Sequence, residues 1–291
     1  MLHRFFQYLQ SEKRYSAHTI RAYESDLRQM VAYMALDENE LHHVTHRHLR
    51  GWLSSLIEQG LNTRSVNRKI SSVSAFYSYL VRQGELAQNP VEKVVNPKNS
   101  KRLPFFYKKE QLNDLLDTPQ ECDTYEAQRN HAMLELLYGT GMRLAELVGL
   151  RVGSVDLAAQ TVRVLGKGNK QRIIPLSPRL CDELKQYLQA LKNSFDLQPD
   201  SAFFRTAKGV PIYPGLVYRV VHGSLAAQGV GGKKSPHVLR HSFATHMLTN
   251  GADLNCIKDL LGHASLSATQ VYTHNDVEKL LKSYHRAHPH A

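Results

Sequence analysis

The chain has 291 residues, 42% of them hydrophobic, which is enough for two ordinary domains with cores of their own and excludes a disordered chain. Lysine and arginine outnumber aspartate and glutamate 37 to 26, and the formal charge of +11 favours a polyanionic partner without separating DNA from RNA or an anionic membrane surface. Cys122, Cys181 and Cys256 are odd in number and far apart, which argues against a disulfide framework or a zinc site; no apolar run approaches the roughly 20 residues of a spanning helix, and "MLHRFFQYLQ" lacks the features of a signal peptide, so a cytoplasmic protein with no membrane partner is expected.

Residues 1–95 read as helices separated by short breaks. Ser16 is placed to cap a helix through "TIRAYESDLRQMVAYMAL", where Ile20, Tyr23, Leu27, Met30, Val31 and Met34 recur at helical spacing. A second helix fits "THRHLRGWLSSLIEQG", closed by Gly60. A third fits "NTRSVNRKISSVSAFYSYLVRQG", with Val66, Ile70, Val73, Tyr77 and Leu80 on one side and Gly84 at its end. Arg64, Arg68 and Lys69 fall away from that stripe, either as a solvated charged face or as contacts to a phosphate backbone. Residues 96–109, "NPKNSKRLPFFYKK", hold two prolines, five basic residues and no acid, and read as an interdomain linker with Lys101 and Arg102 as candidate DNA contacts. Net charge is +3 for residues 1–95 and +8 for the rest, so neither part is a detachable basic tail.

Downstream, residues 110–291 form a second domain, mostly helical with a small antiparallel sheet. "AQRNHAMLELLYGTGMRLAELVGL" reads as a helix, a turn broken by Gly139 and Gly141, and another helix with Arg143 in its first turn. The runs "TVRVL" and "QRIIPL" flank "GKGNK" as a hairpin, with Lys167 at its tip. Further helices fit 178–193, 214–228, 236–249 and 254–261, and "SAFFR" is a candidate extra strand.

The chemistry concentrates around "SPHVLRHSFATHM". Ser235 and Pro236 make a good helix start, and His237 and Arg240, three apart on its first turn, share the positive end of the helix dipole, a place suited to a phosphate. His241, Phe243 and His246 lie on other faces and read as packing or hydrogen-bonding residues. Arg143 has the same character, and in "DLLGHASLSATQVYTH" Gly262 ends a helix, His263 follows it, and Tyr272 lies beyond. Each residue has a bland reading alone: Arg143 pairs with Glu146, Lys167 is a solvated turn residue, His263 a helix stop, Tyr272 a half-buried aromatic. Together they suit displacement at a phosphodiester. Arginine forks match the non-bridging oxygens as charge builds there, a tyrosine near strong positive charge is a nucleophile, and a lysine can protonate the leaving oxygen. A two-metal nuclease would need clustered carboxylates instead, and Glu146 alone is available, so no cofactor or metal is expected.

In order and spacing, "GTGMRLAEL", "GKGNKQR", "HVLRHSFATHML", "LLGHASLSATQVYTH" and "YHRAHP" resemble the tyrosine recombinase (phage-integrase-like) family, and within it the Xer recombinases of bacteria; "SAHTIRAYESDL" and "SVNRKISSVSAFYSYL" extend the likeness to the amino-terminal domain. The resemblance implies a two-domain clamp on duplex DNA with the DNA breaking-rejoining fold. It implies Arg143, Lys167, His237, Arg240 and His263 as activating residues, with Lys167 as general acid. Tyr272 would be the nucleophile that forms a 3'-phosphotyrosine, and Glu146 a support for Arg143 or its neighbours. It further implies a homo-tetramer, or a hetero-tetramer with a related recombinase, working on specific DNA sites through a Holliday junction, with residues 276–291 exchanged between subunits. Chromosome dimer resolution at cell division, with a septal DNA translocase as activator, is the expected role. Mobile-element or plasmid integration and resolution, relaxation by a type IB-like topoisomerase, and inert DNA binding are the alternatives.

Overall fold

Four amphipathic helices enclose the first core: α1 (Leu2–Ser11), α2 (Ala17–Met34), α3 (His46–Glu58) and α4 (Thr63–Arg82). Phe5, Leu27, Trp52, Phe76 and Tyr77 are buried at its centre. Local chemistry sets where two of these helices begin. Ser16 Oγ accepts from the Thr19 amide at 3.2 Å, and Asn62 Oδ1 accepts from the Ser65 amide at 2.9 Å, each satisfying a donor that the helix cannot. Helix α1 buries an apolar stripe at Leu2, Phe5 and Leu9. The structure is a computed structural model, and it describes residues 1–98, 105–117, 124–166, 171–262, 284 and 286–288.

One basic residue of α4 departs from expectation. Lys69 does not fall away from the core: it is buried, and its Nζ donates to Asp26 Oδ1 at 2.8 Å and to Gln29 Oε1 at 2.6 Å. Asp26, wholly buried on α2, also accepts from both Nη atoms of Arg68 and from Ser72 Oγ at 3.1 Å. A carboxylate out of water needs charged partners, and α4 supplies two of them. Arg64 is exposed, while Lys101 and Arg102 lie outside the described residues.

The chain divides into two compact units, Met1–Leu103 and Pro104–Ala291. The division falls within the stretch read as a linker, and the last residues of that stretch are fixed rather than loose. Tyr107 is fully buried; its amide donates to Ser242 Oγ at 2.9 Å and its hydroxyl to the Lys233 carbonyl at 2.6 Å. His246 Nε2 donates to the Tyr107 carbonyl at 2.9 Å, which leaves Nδ1 to accept from the Tyr138 hydroxyl at 2.8 Å. Burial holds the His246 pKa below the usual histidine value, so the buried ring is kept neutral in this chain of bonds.

The second unit is built on α6 (Tyr125–Thr140), buried from His131 to Thr140 without an exposed face, as expected of a central helix. Around it lie α5 (Lys109–Asp117), α7 (Leu144–Val148), α8 (Pro178–Ser194), α9 (Pro214–Ala227), α10 (Pro236–Thr249) and α11 (Leu254–Leu261). Strands β1 (Val155–Asp156), β2 (Thr161–Leu165) and β3 (Gln171–Pro175) form an antiparallel sheet in that order, with Val164 opposite Arg172. "SAFFR" is not a strand: Ala202 and Arg205 make isolated bridges to Arg151 and Pro211, while Phe203 and Phe204 enter the core. Gly139 does not break α6. It lies within the helix, where a Cβ would stand 2.9 Å from Leu180 Cδ2, so the glycine permits close packing on α8. The break is Gly141 alone, left-handed at φ 59°, with a Phe243 ring atom 2.4 Å from where a Cβ would be. No described helix is long and apolar enough to cross a membrane.

Candidate active site

Helix α11 ends at Gly262, which adopts φ 63°, and three consecutive carbonyls at that end each receive an arginine. Leu260 O accepts from Arg172 Nε, Leu261 O from Arg240 Nη2, and Gly262 O from Arg143 Nη2, each at 2.7 Å. The last carbonyls of a helix have no partner within it and carry the negative end of its dipole, so they hold cations well. Three guanidiniums from three separate elements are thereby gathered around one helix end.

Arg143 occupies the N-cap position of α7, one residue before the helical turn in which it was expected. Its amide donates to Glu146 Oε2 at 2.7 Å and its Nη1 to Glu146 Oε1 at 2.9 Å. The same carboxylate is gripped by Arg172, with Nη1 on Oε1 at 2.6 Å and Nη2 on Oε2 at 2.8 Å. Burial would raise the Glu146 pKa, but the bonds and charge of Arg172 and Arg143 outweigh it and hold the value below the usual carboxylate range. Glu146 therefore stays ionised, with four donors on its two oxygens. The Arg143 side chain is 35% exposed and keeps donors for a ligand.

Arg240, on α10, is 8% exposed. Its Nη1 donates to the Gly141 carbonyl at 2.6 Å, and no described carboxylate is within ion-pair distance. Burial, then the neighbouring charges of Arg143 and Arg172, push its pKa down to about 10. Ser235 is the N-cap of α10, but its hydroxyl makes no capping bond and is buried without a partner among the described residues; the backbone carbonyl of Ser235 starts the helix instead. His237, in the first turn, is exposed. Three guanidiniums and one carboxylate leave an excess positive charge that is partly buried, and an anion is its natural complement.

Of the six residues expected to carry chemistry, the structure thus brings Arg143 and Arg240 to one helix end and sets His237 on Arg240's own helix. Lys167, His263 and Tyr272 lie outside the described residues. Arg172 was not foreseen, although its strand carried a signal: in "QRIIPL" it alternates with Ile174, which puts an arginine on the core-facing side of β3.

Comparison with known proteins bears on the whole chain. Residues 106–279 match the phage integrase family model and residues 2–84 the phage integrase N-terminal SAM-like domain. The chain is 40% identical over 290 residues to the protein named tyrosine recombinase XerC from Pelobacter propionicus, covering 99% of this chain and 94% of that one. Its fold is similar to that of the XerH site-specific recombinase bound to palindromic difH substrate in a post-cleavage complex (TM-score 0.74, 23% identity, 97% and 84% coverage). It is likewise similar to a lambda integrase tetramer bound to a Holliday junction (TM-score 0.69, 19% identity, 91% and 74% coverage). With both units matched in order, and with a near-complete overlap with an Xer protein, the chain belongs to the phage integrase family and is a site-specific tyrosine recombinase of the Xer group.

Proposed function

We propose that Arg143 and Arg240 hold the scissile phosphate of duplex DNA at the end of α11, and that this site resolves chromosome dimers in the cytoplasm before cell division. The buried, carboxylate-free Arg240 carries the reading: its charge is uncompensated within the described protein and is matched by a phosphodiester. In the proposed step, Tyr272 Oη attacks phosphorus and gives up its proton to a neighbouring base. A phosphorus–tyrosine bond forms, the bond to the 5' oxygen breaks, and Lys167 protonates that oxygen. His237 and His263 complete the activating set. Attack by a 5' hydroxyl from a second duplex reverses the step and rejoins the strand. Four subunits, identical or of two related kinds, would exchange strands in turn through a Holliday junction, with a septal translocase as the activating partner. A lambda integrase of similar fold, solved as a tetramer bound to a Holliday junction, supports this assembly.

The test is a nicked duplex carrying a candidate recombination site, which traps cleavage because the short strand is lost. Wild type should give a denaturant-resistant protein–DNA adduct and Tyr272→Phe none, with DNA affinity unchanged. An adduct that persists in Tyr272→Phe would remove Tyr272 from the role of nucleophile.

A further inference from the structure

The guanidinium of Arg172 is 6% exposed at its side chain and all three of its nitrogens are committed: Nε to Leu260 O, Nη1 and Nη2 to the two oxygens of Glu146. Among the described residues it faces protein acceptors and is almost wholly out of solvent. Yet it ties together β3, α7 and α11, three of the elements around the site. It grows from the start of β3; it grips Glu146 of α7, which fixes both the amide and the guanidinium of Arg143; and it binds the end of α11, one residue before the carbonyl that holds Arg240. Gly262 is shaped for it: a Cβ there would lie 3.1 Å from Arg172 Cδ and 3.2 Å from Nη1. An arginine buried with its carboxylate at this junction fixes geometry, because the fork satisfies both carboxylate oxygens in one plane while Nε points elsewhere.

We infer that Arg172 is a positioning residue for strand cleavage, acting through Glu146 and the α11 terminus to set the direction of Arg143. The inference rests on Arg143 binding the scissile phosphate. Lysine cannot replace it, since an ammonium cannot span both Glu146 oxygens and reach Leu260 O in the same arrangement. Because Arg172 faces no ligand, its loss should act on the rate at saturating DNA and not on affinity.

The experiment is single-turnover cleavage of the nicked duplex by the full chain, read as the rate at saturation and the half-saturating DNA concentration. Arg172→Lys is expected to lower the rate about 10- to 100-fold with the half-saturating concentration within about twofold of wild type. Introduced into Arg143→Lys, the same change should cost less than about threefold further, because the residue it orients is already altered. Arg172→Gln, if it folds, should resemble Arg172→Lys, and Glu146→Gln should show the same split. Wild-type rates in Arg172→Lys, or an equal loss in both backgrounds, would overturn the inference and leave Arg172 a purely structural ion pair. Absence of an adduct from wild type would instead overturn the reading of the site on which the inference stands.

Discussion

Each unit of the protein gathers cations around one buried carboxylate, and the two clusters differ in what is left over. In the first, Asp26 receives Arg68 and Lys69, and Lys69 is buried with its charge turned wholly inward to Asp26 and Gln29. In the second, Glu146 receives Arg143 and Arg172, and a third guanidinium, Arg240, lies buried beside them with only carbonyls for partners among the described residues. Charge that is matched by a neighbour is structure. Charge that is buried and without a carboxylate among the described residues, its pKa pushed down to about 10 by burial and then by the neighbouring arginines, suits an anionic ligand.

If that contrast is right, the two clusters should fail differently. Asp26→Ala strands Lys69 in the core without its carboxylate and should cost about 3–5 kcal/mol of stability, seen as a loss of the first unit's unfolding transition at low urea. A shift below about 1 kcal/mol would mean that Lys69 escapes to water and that the cluster is not the constraint it resembles. Arg240→Gln should do the reverse. Its urea midpoint should move far less than that of Asp26→Ala, because the change removes a charge that folding disfavours, while cleavage should fall about 10²- to 10³-fold. Comparable stability losses in the two variants would erase the distinction between them.

The same contrast explains what the sequence made legible. Helices α8, α9, α10 and α11 follow the expected spans to within one residue, because their apolar spacing and their Ser-Pro, Pro or Gly boundaries are local signals. That Arg143 and Arg240 serve one phosphate was legible from their chemistry and from resemblance, but how they are gathered was not, since the carbonyls that join them belong to residues about 20 and 119 positions away along the chain. Lys69 misled because its position on a helical wheel is set by α4 alone, whereas its burial is set by Asp26 on α2. Arg172 and Tyr107 were overlooked for the same reason: a polar or aromatic residue in a strand or linker gains its role from a partner that periodicity does not name.

A third carboxylate sharpens the comparison from the other side. Glu135, on α6, is 3% exposed and has a single guanidinium bond, from Arg179 Nη2 at 3.1 Å, which Arg179 shares with Asp117. Burial here outweighs Arg179, with Glu183 adding to it, and the pKa rises to about 7, opposite in direction to Glu146 with its two arginines. An acid whose folded pKa is raised contributes stability that is fully present below its unfolded value near 4.5 and is lost as pH rises toward 7, whereas the contribution of Glu146 is present above 4.5 and is lost on acidification. His131, 3.9 Å from Glu135 and 3.4 Å from Glu183, has its pKa lowered by burial and resists protonation, so it acts against Glu135 on the acid side. Comparing wild type with Glu135→Gln isolates the one group: the variant should gain on wild type by up to roughly 3 kcal/mol as pH climbs from 5 to 8, measured by urea unfolding of the second unit. A constant difference across that range would mean that Arg179 alone suffices to keep Glu135 ionised. The number of guanidiniums on a buried carboxylate would then not be what separates the ionised Glu146 from its neighbour in α6.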